Sequence, residues 1–159
     1  MSKFLTFLLL PLVFSSCSLF QKKPQAAGLE EKIKMMDADR AFSKLSETKG
    51  MKAAFMEYID SNGVLLKPGA YPIVGADAID FLIQQNDSAY QLQWKPNKGV
   101  IAASGELGFT YGLYALKLSE KDTTLYGTYI NVWKKQSDGS WKYLLNSGNE
   151  GLGEEEPNQ

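Results

Sequence analysis

Residues 107–146 read LGFTYGLYALKLSEKDTTLYGTYINVWKKQSDGSWKYLLN, and they decide the fold. Their hydrophobic period is two, the mark of strands whose side chains alternate between faces. In 124–135, Gly127, Tyr129, Asn131 and Trp133 share one face, and Tyr126, Thr128, Ile130 and Val132 share the other. In 107–118, Gly108, Thr110, Gly112 and Tyr114 lie opposite Phe109, Tyr111 and Leu113. Lys121-Asp122-Thr123 and Ser137-Asp138-Gly139-Ser140 are turn signals, so 107–118, 124–135 and 141–146 read as successive antiparallel strands. Upstream, Tyr90, Leu92 and Trp94 alternate with Gln91 and Gln93, and Val100 to Ala103 resumes that strand. Pro96 cannot donate to a ladder, so it predicts a bulge or an edge.

Before the strands the period is helical. Residues 29–47 place Leu29, Ile33 and Met36, then Ala38, Ala41, Phe42 and Leu45, along one stripe. Glu30 and Glu31 occupy the first turn, and Gly50 ends the run. Residues 51–59 repeat the pattern through Met51, Phe55, Tyr58 and Ile59. Asp60-Ser61-Asn62-Gly63 reads as a turn, Val64 to Leu66 as a short strand, and 77–85 as a third helix. Helices followed by a meander of long antiparallel strands predict an α+β domain over 29–148, with the helices covering one face of the sheet. The Gly- and Glu-rich stretch 149–159 reads as a flexible acidic tail.

The chain has 159 residues and a formal net charge of −1, which suits one globular domain. It holds no basic excess for phosphate-backbone binding, so no nucleic-acid partner is expected. There is no histidine, which excludes a Ser-His-Asp triad, a Cys-His dyad and any imidazole acid–base step. The single cysteine excludes an internal disulfide, and with no histidine it leaves a transition metal without its usual ligands. No cofactor or metal is expected.

That cysteine, Cys17, ends the segment MSKFLTFLLLPLVFSSC. Lys3 is followed by an apolar run from Phe4 to Phe14 and then by Ser15 and Ser16. The run is too short to span a bilayer, which takes about 20 residues, and it matches a secretory signal over 1–16. The small-small-Cys ending resembles the lipobox of bacterial lipoproteins. That resemblance implies cleavage before Cys17, lipid on its thiol, and a place in the bacterial cell envelope with the membrane as partner. Ser18 stands where some retained lipoproteins have Asp, which points to the outer membrane, facing the periplasm or the surface. Residues 17–28 then read as lipidated Cys and tether, with a reach of at most about 35–40 Å.

The segments DADRAFSKLSETKGMKAAFMEYID, GADAIDFL, LQWKPNKGVIAASGELGFTYGLY and GTYINVWKKQSDGSWKYLL resemble the nuclear-transport-factor-two-like superfamily, and within it the SnoaL-like domains of unknown function. The resemblance covers about residues 30–148. It implies a curved antiparallel sheet wrapped into a cone around the N-terminal helices, with a cavity at the wide end. Its relatives include ketosteroid isomerase and polyketide cyclases as well as binding and dimerisation modules, so it implies a fold more than a function.

Each candidate site residue has a structural alternative. Ketosteroid-isomerase-like chemistry uses a carboxylate to move a proton and a Tyr as oxyanion donor, and Asp39, Tyr58 and Glu106 supply the types. A charge on Asp39 balanced by Arg40, Lys44 or a loop backbone is the favoured reading, and no residue is assigned a catalytic role. Trp94, Thr110, Tyr114, Tyr129, Asn131 and Trp133 mix aromatic and polar groups on the strands, as a ligand cavity does. The same aromatics serve as core against the helices. Ile130 and Val132 give the opposite face apolar character, so a homodimer through the sheet is expected. The sequence therefore supports a membrane-anchored module that binds a small apolar or amphipathic molecule or dimerises, with a carboxylate/tyrosine enzyme as the alternative.

Overall fold

The computed structural model describes residues 24–120 and 123–152. Cys17, the signal segment and residues 153–159 lie outside the described residues. Helices α1 (Pro24–Lys49), α2 (Met51–Tyr58) and α3 (Ala76–Gln84) accompany strands β1 (Ile59–Leu66), β2 (Ile73–Val74), β3 (Tyr90–Ile101), β4 (Leu107–Leu118), β5 (Thr124–Lys135) and β6 (Trp141–Glu150). The strands form one sheet in the order β2-β1-β6-β5-β4-β3. Among the described residues no helix is long and apolar enough to cross a membrane.

The period-two reading holds strand by strand. Gly127, Tyr129, Asn131 and Trp133 are buried while Tyr126, Thr128 and Ile130 are exposed. Register carries this parity across the sheet: Thr110 pairs with Asn131, Gly112 with Tyr129, and Tyr114 with both Gly127 and Trp94. Pro96 marks both features it predicts, since β3 is an edge strand and its register shifts between Pro96 and Lys98.

Phe42 sits at the centre of the core, wholly buried. Its ring lies 4.5–6.1 Å from those of Trp94, Phe55, Tyr58, Tyr143 and Trp133. Gly50 turns the chain between α1 and α2 with φ +92°, a conformation that favours glycine. The Asp87 carboxylate then accepts the Lys52 N–H at 2.7 Å, which satisfies an otherwise free donor at the start of α2.

Three features differ from the sequence reading. First, the buried face of α1 is Met35, Asp39, Phe42, Ser43 and Ser46, while Leu29 and Ile33 are more than half exposed. The polar members of that face are committed to the sheet. Ser43 Oγ donates to the Trp94 carbonyl at 2.7 Å and accepts the Trp94 N–H at 2.8 Å. Ser46 Oγ donates to the Leu92 carbonyl at 2.7 Å. These hydroxyls supply the partner that an edge strand lacks, so α1 covers the exposed ladder of β3. The helix also begins at Pro24, inside the stretch read as tether, where proline suits a first turn.

Second, the sheet is mixed: β1 runs parallel to β6. No hairpin links them, so turn geometry does not force an antiparallel pair. The Asp60–Gly63 turn survives as an irregularity in β1, with Asn62 N–H donating to Asp60 Oδ1 at 2.9 Å. Third, β6 runs on to Glu150 because Ser147 to Glu150 pair with Gly127 to Ile130 of β5. The polar side chains that read as tail belong to a strand held by its backbone.

Truncating the fully buried Trp133 to Ala is expected to cost about 3–5 kcal/mol in chemical denaturation. Ser43→Ala is expected to cost about 1–3 kcal/mol, because it strands both backbone groups of Trp94. An unchanged unfolding midpoint for either variant would contradict this packing.

Candidate functional site: a buried carboxylate behind a cavity

Asp39 lies in the middle of α1 with no exposed surface. Neither neighbouring cation meets it: Arg40 pairs with Asp37 at 2.6 Å and Lys44 with Glu47 at 2.7 Å, both on the outer side of the helix. The expectation of a charge balanced by Arg40, Lys44 or a loop backbone is therefore corrected, because side chains of β3 and β5 satisfy Asp39 instead. Trp94 Nε1 donates to Oδ1 at 2.8 Å, Asn131 Nδ2 donates to Oδ1 at 3.2 Å, and the Tyr129 hydroxyl donates to Oδ2 at 2.7 Å. Thr110 of β4 stands beside them. A second layer holds the first: Trp133 Nε1 donates to Thr110 Oγ1 at 2.8 Å, and Asn146 Nδ2 donates to Asn131 Oδ1 at 2.7 Å.

Two opposed effects set the acidity of Asp39. Burial pushes its carboxyl above the ordinary carboxylate range, while the hydrogen bonds from Trp94, Tyr129, Thr110 and Asn131 pull it down. Burial wins, and the net direction is upward. Tyr129 is raised as well, by burial, by the charge of Asp39 and by the hydrogen bond it donates. It remains a phenol throughout the physiological range.

In front of this network lies a cavity of about 350 Å³. Its body is apolar, with Met51 and Phe55 from α2, Phe81 and Leu82 from α3, Leu65 from β1, Leu92 from β3 and Leu116 from β4. Trp94, Tyr129 and Asn131 form a wall between the cavity and Asp39, with Asn146 and Ser147 beside them. Exposed Lys67, Pro68 and Glu150 mark the mouth, where Lys67 Nζ lies 5.5 Å above the Phe81 ring. Tyr114 lines the cavity over Gly127, where a Cβ would come within 2.5 Å of its ring.

Of the residues singled out in the sequence, Trp94, Tyr114, Tyr129 and Asn131 line the cavity. Asp39, Thr110 and Trp133 stand behind its wall. Tyr58 stacks on Phe42 and meets Trp133 edge-on, away from the lining. Glu106 lies at a second, open surface hollow with Glu31 and Lys135. Sequence reasoning missed Asn146, Ser147, Phe81, Leu82 and most of the apolar lining. Leu92 and Leu116 share strand parity with residues already chosen, so their place was available from register. Among the described residues no cluster of three or more His, Cys, Asp or Glu could hold a metal ion.

No family model matches this chain, and no curated protein does. Solved structures do match in fold. A ketosteroid isomerase-like protein from Erwinia carotovora atroseptica aligns with a TM-score of 0.62 at 15% identity, over 76% of this chain and 96% of its own. An NTF2-like protein with a cystatin-like fold from Novosphingobium aromaticivorans aligns with a TM-score of 0.62 at 13% identity, over 78% of this chain and 84% of its own. An LEH-like epoxide hydrolase of M. tuberculosis aligns with a TM-score of 0.53 at 15% identity, over 74% and 79%. The chain thus has the nuclear-transport-factor-two-like, ketosteroid-isomerase-like α+β fold. This fold carries enzymes as well as other proteins, so it does not assign an activity.

Asp39 gives a pH signature with a definite sign. Its folded pKa is raised, so its contribution to stability is fully present below the unfolded value and is lost as pH rises through the folded value. Relative to Asp39→Asn, the wild type is expected to become more stable as pH falls toward the ordinary Asp pKa. Asp39→Ala, which orphans several buried donors, is expected to be less stable than Asp39→Asn by about 1–3 kcal/mol. A wild-type minus Asn-variant difference in unfolding free energy that is flat with pH would contradict the assignment.

Proposed function

We propose that this chain is a lipid-anchored protein of the bacterial cell envelope whose domain holds a small, largely apolar molecule in the cavity. The observation that carries the reading is the cavity itself. It is apolar along its body, polar on one wall, and within the usual range for small-molecule sites. A ligand gains by burying its apolar surface at about 25 cal/mol per Å², and the Tyr129–Asn131 wall orients its polar end. Cys17, lipidated and followed by a short tether, would hold the domain at the membrane.

The outer face of the sheet fits a second copy of the chain. Tyr111, Leu113, Tyr126 and Ile130 are each between 37% and 54% exposed there, side by side on β4 and β5. Pairing two such faces removes a continuous apolar patch from water.

The 2.7 Å contact between Asp39 and Tyr129 favours one alternative, a carboxylate/tyrosine acid–base enzyme. Asp39 is walled off from the cavity, so a substrate proton would have to pass through the Tyr129 hydroxyl rather than reach the carboxylate directly.

Native mass spectrometry of the membrane-extracted chain reads all three elements of the proposal. The expected result is a dimer of chains beginning at Cys17, carrying acyl mass on that residue and a non-covalent small-molecule adduct. The adduct is expected to disappear when Leu82→Trp fills the cavity. A chain without acyl mass contradicts the anchor, and a monomer at high concentration contradicts the interface. A chain without adduct that also takes up no apolar fluorescent probe contradicts the binding role.

A further inference from the structure

The hydrogen-bond directions around Asp39 restrict what the cavity can hold, given the binding reading above. Trp94 Nε1 can only donate, and it gives its one hydrogen to Asp39 Oδ1. Thr110 accepts from Trp133 Nε1 and stands beside Asp39. Asn131 is fixed from the other side, because its Oδ1 accepts from Asn146. Its Nδ2 therefore faces Asp39 as a donor. Trp94 and Asn131 thus donate to Asp39 Oδ1, and the Tyr129 hydroxyl spends its single hydrogen on Oδ2 at 2.7 Å. What Tyr129 retains for the cavity is lone pairs, with a carboxylate directly behind them.

We propose that the cavity selects a small molecule with an apolar body whose inner polar end is a hydrogen-bond donor, a hydroxyl or an ammonium group, that donates to the Tyr129 hydroxyl oxygen. A carbonyl or an oxyanion in the same place would face those lone pairs with no proton between them. It would also feel the negative charge of Asp39 at short range. For the same reason Tyr129 cannot serve as an oxyanion donor while Asp39 holds its hydrogen. The aromatic lining from Phe55, Phe81, Tyr90, Trp94 and Tyr114 accommodates either donor, and it adds cation–π attraction for an ammonium.

The test is calorimetric titration of the chain from Cys17 onward with three shape-matched probes, 2-tetralol, 2-aminotetralin and 2-tetralone. At least one of the alcohol and the amine is expected to bind about tenfold tighter than the ketone, a difference within the worth of one hydrogen bond. Whichever of the two binds tighter identifies the donor as hydroxyl or ammonium. Tyr129→Phe is expected to bring all three probes to within about twofold of one another, since the selecting oxygen is gone. Asp39→Asn is expected to reverse the preference. The new amide donates to Tyr129 and releases the phenolic hydrogen toward the cavity, where a ketone can accept it. A wild type that binds the ketone as tightly as the alcohol and the amine overturns the donor rule and leaves the cavity standing as a binding site. Failure of all three probes to bind a chain that circular dichroism shows to be folded overturns the cavity reading, and the donor rule with it. If Asp39→Asn fails to fold, Tyr129→Phe still decides: a donor preference that persists in it refutes the assignment.

Discussion

A carboxylate placed in a protein interior without a counter-ion has to be met by hydrogen-bond donors, and meeting Asp39 organises this domain. Its donors come from β3 and β5, so one side chain of α1 ties the helix to two strands of the sheet. The donors offset part of the desolvation cost of the charge, and each one lost leaves more of it unmet. That requirement fixes the depth and rotation of α1. Ser43 and Ser46 fix the same helix against the open edge of β3, so the polar seam acts along its length. The apolar contact of Phe42 lies between these polar anchors, and that of Met35 one turn before them.

The same constraint shapes the cavity. Trp94, Tyr129 and Asn131 satisfy Asp39 on one side and line the cavity on the other. Their orientation is therefore set from behind before any ligand arrives. Such a wall is preorganised, which lowers the ordering cost of binding. It also carries a polarity at Tyr129, whose hydroxyl donates backward and so accepts forward. The acid–base alternative has to work through this arrangement, since the carboxylate itself has no open path to a substrate.

How much of this was legible in the sequence follows from the physics of each element. The strand faces were legible because side chains alternate strictly. Gly127, Tyr129, Asn131 and Trp133 fall on one face whatever the sheet's neighbours are, and the structure buries that face. Pro96 was legible because a residue without an N–H has few places in a ladder. The helix face was legible only in part: Phe42, Ala38 and Leu45 of the predicted stripe meet the core, but hydrophobic periodicity assumes that what is buried is apolar. In α1 the buried positions include Asp39, Ser43 and Ser46, while Leu29 and Ile33 face outward. The parallel pairing of β1 with β6 and the extension of β6 to Glu150 depend on partners distant in sequence, which no local pattern encodes. The cavity's residue types were legible in Tyr114, Tyr129 and Asn131, but α3 had no signal that it would lay Phe81 and Leu82 against them.

The central claim is that Asp39 is an ionised acceptor held by the Tyr129 hydroxyl and its fellow donors. Isotope-edited infrared spectroscopy of the chain with ¹³C-carboxyl aspartate, compared with Asp39→Asn, reads this directly. The account predicts that the difference spectrum at neutral pH contains a carboxylate band from Asp39. That band should give way to a protonated-acid band only as the pH is lowered. A protonated-acid band from Asp39 already present at neutral pH would contradict it, because Tyr129 would then accept from the acid and its own hydrogen would be free to face the cavity.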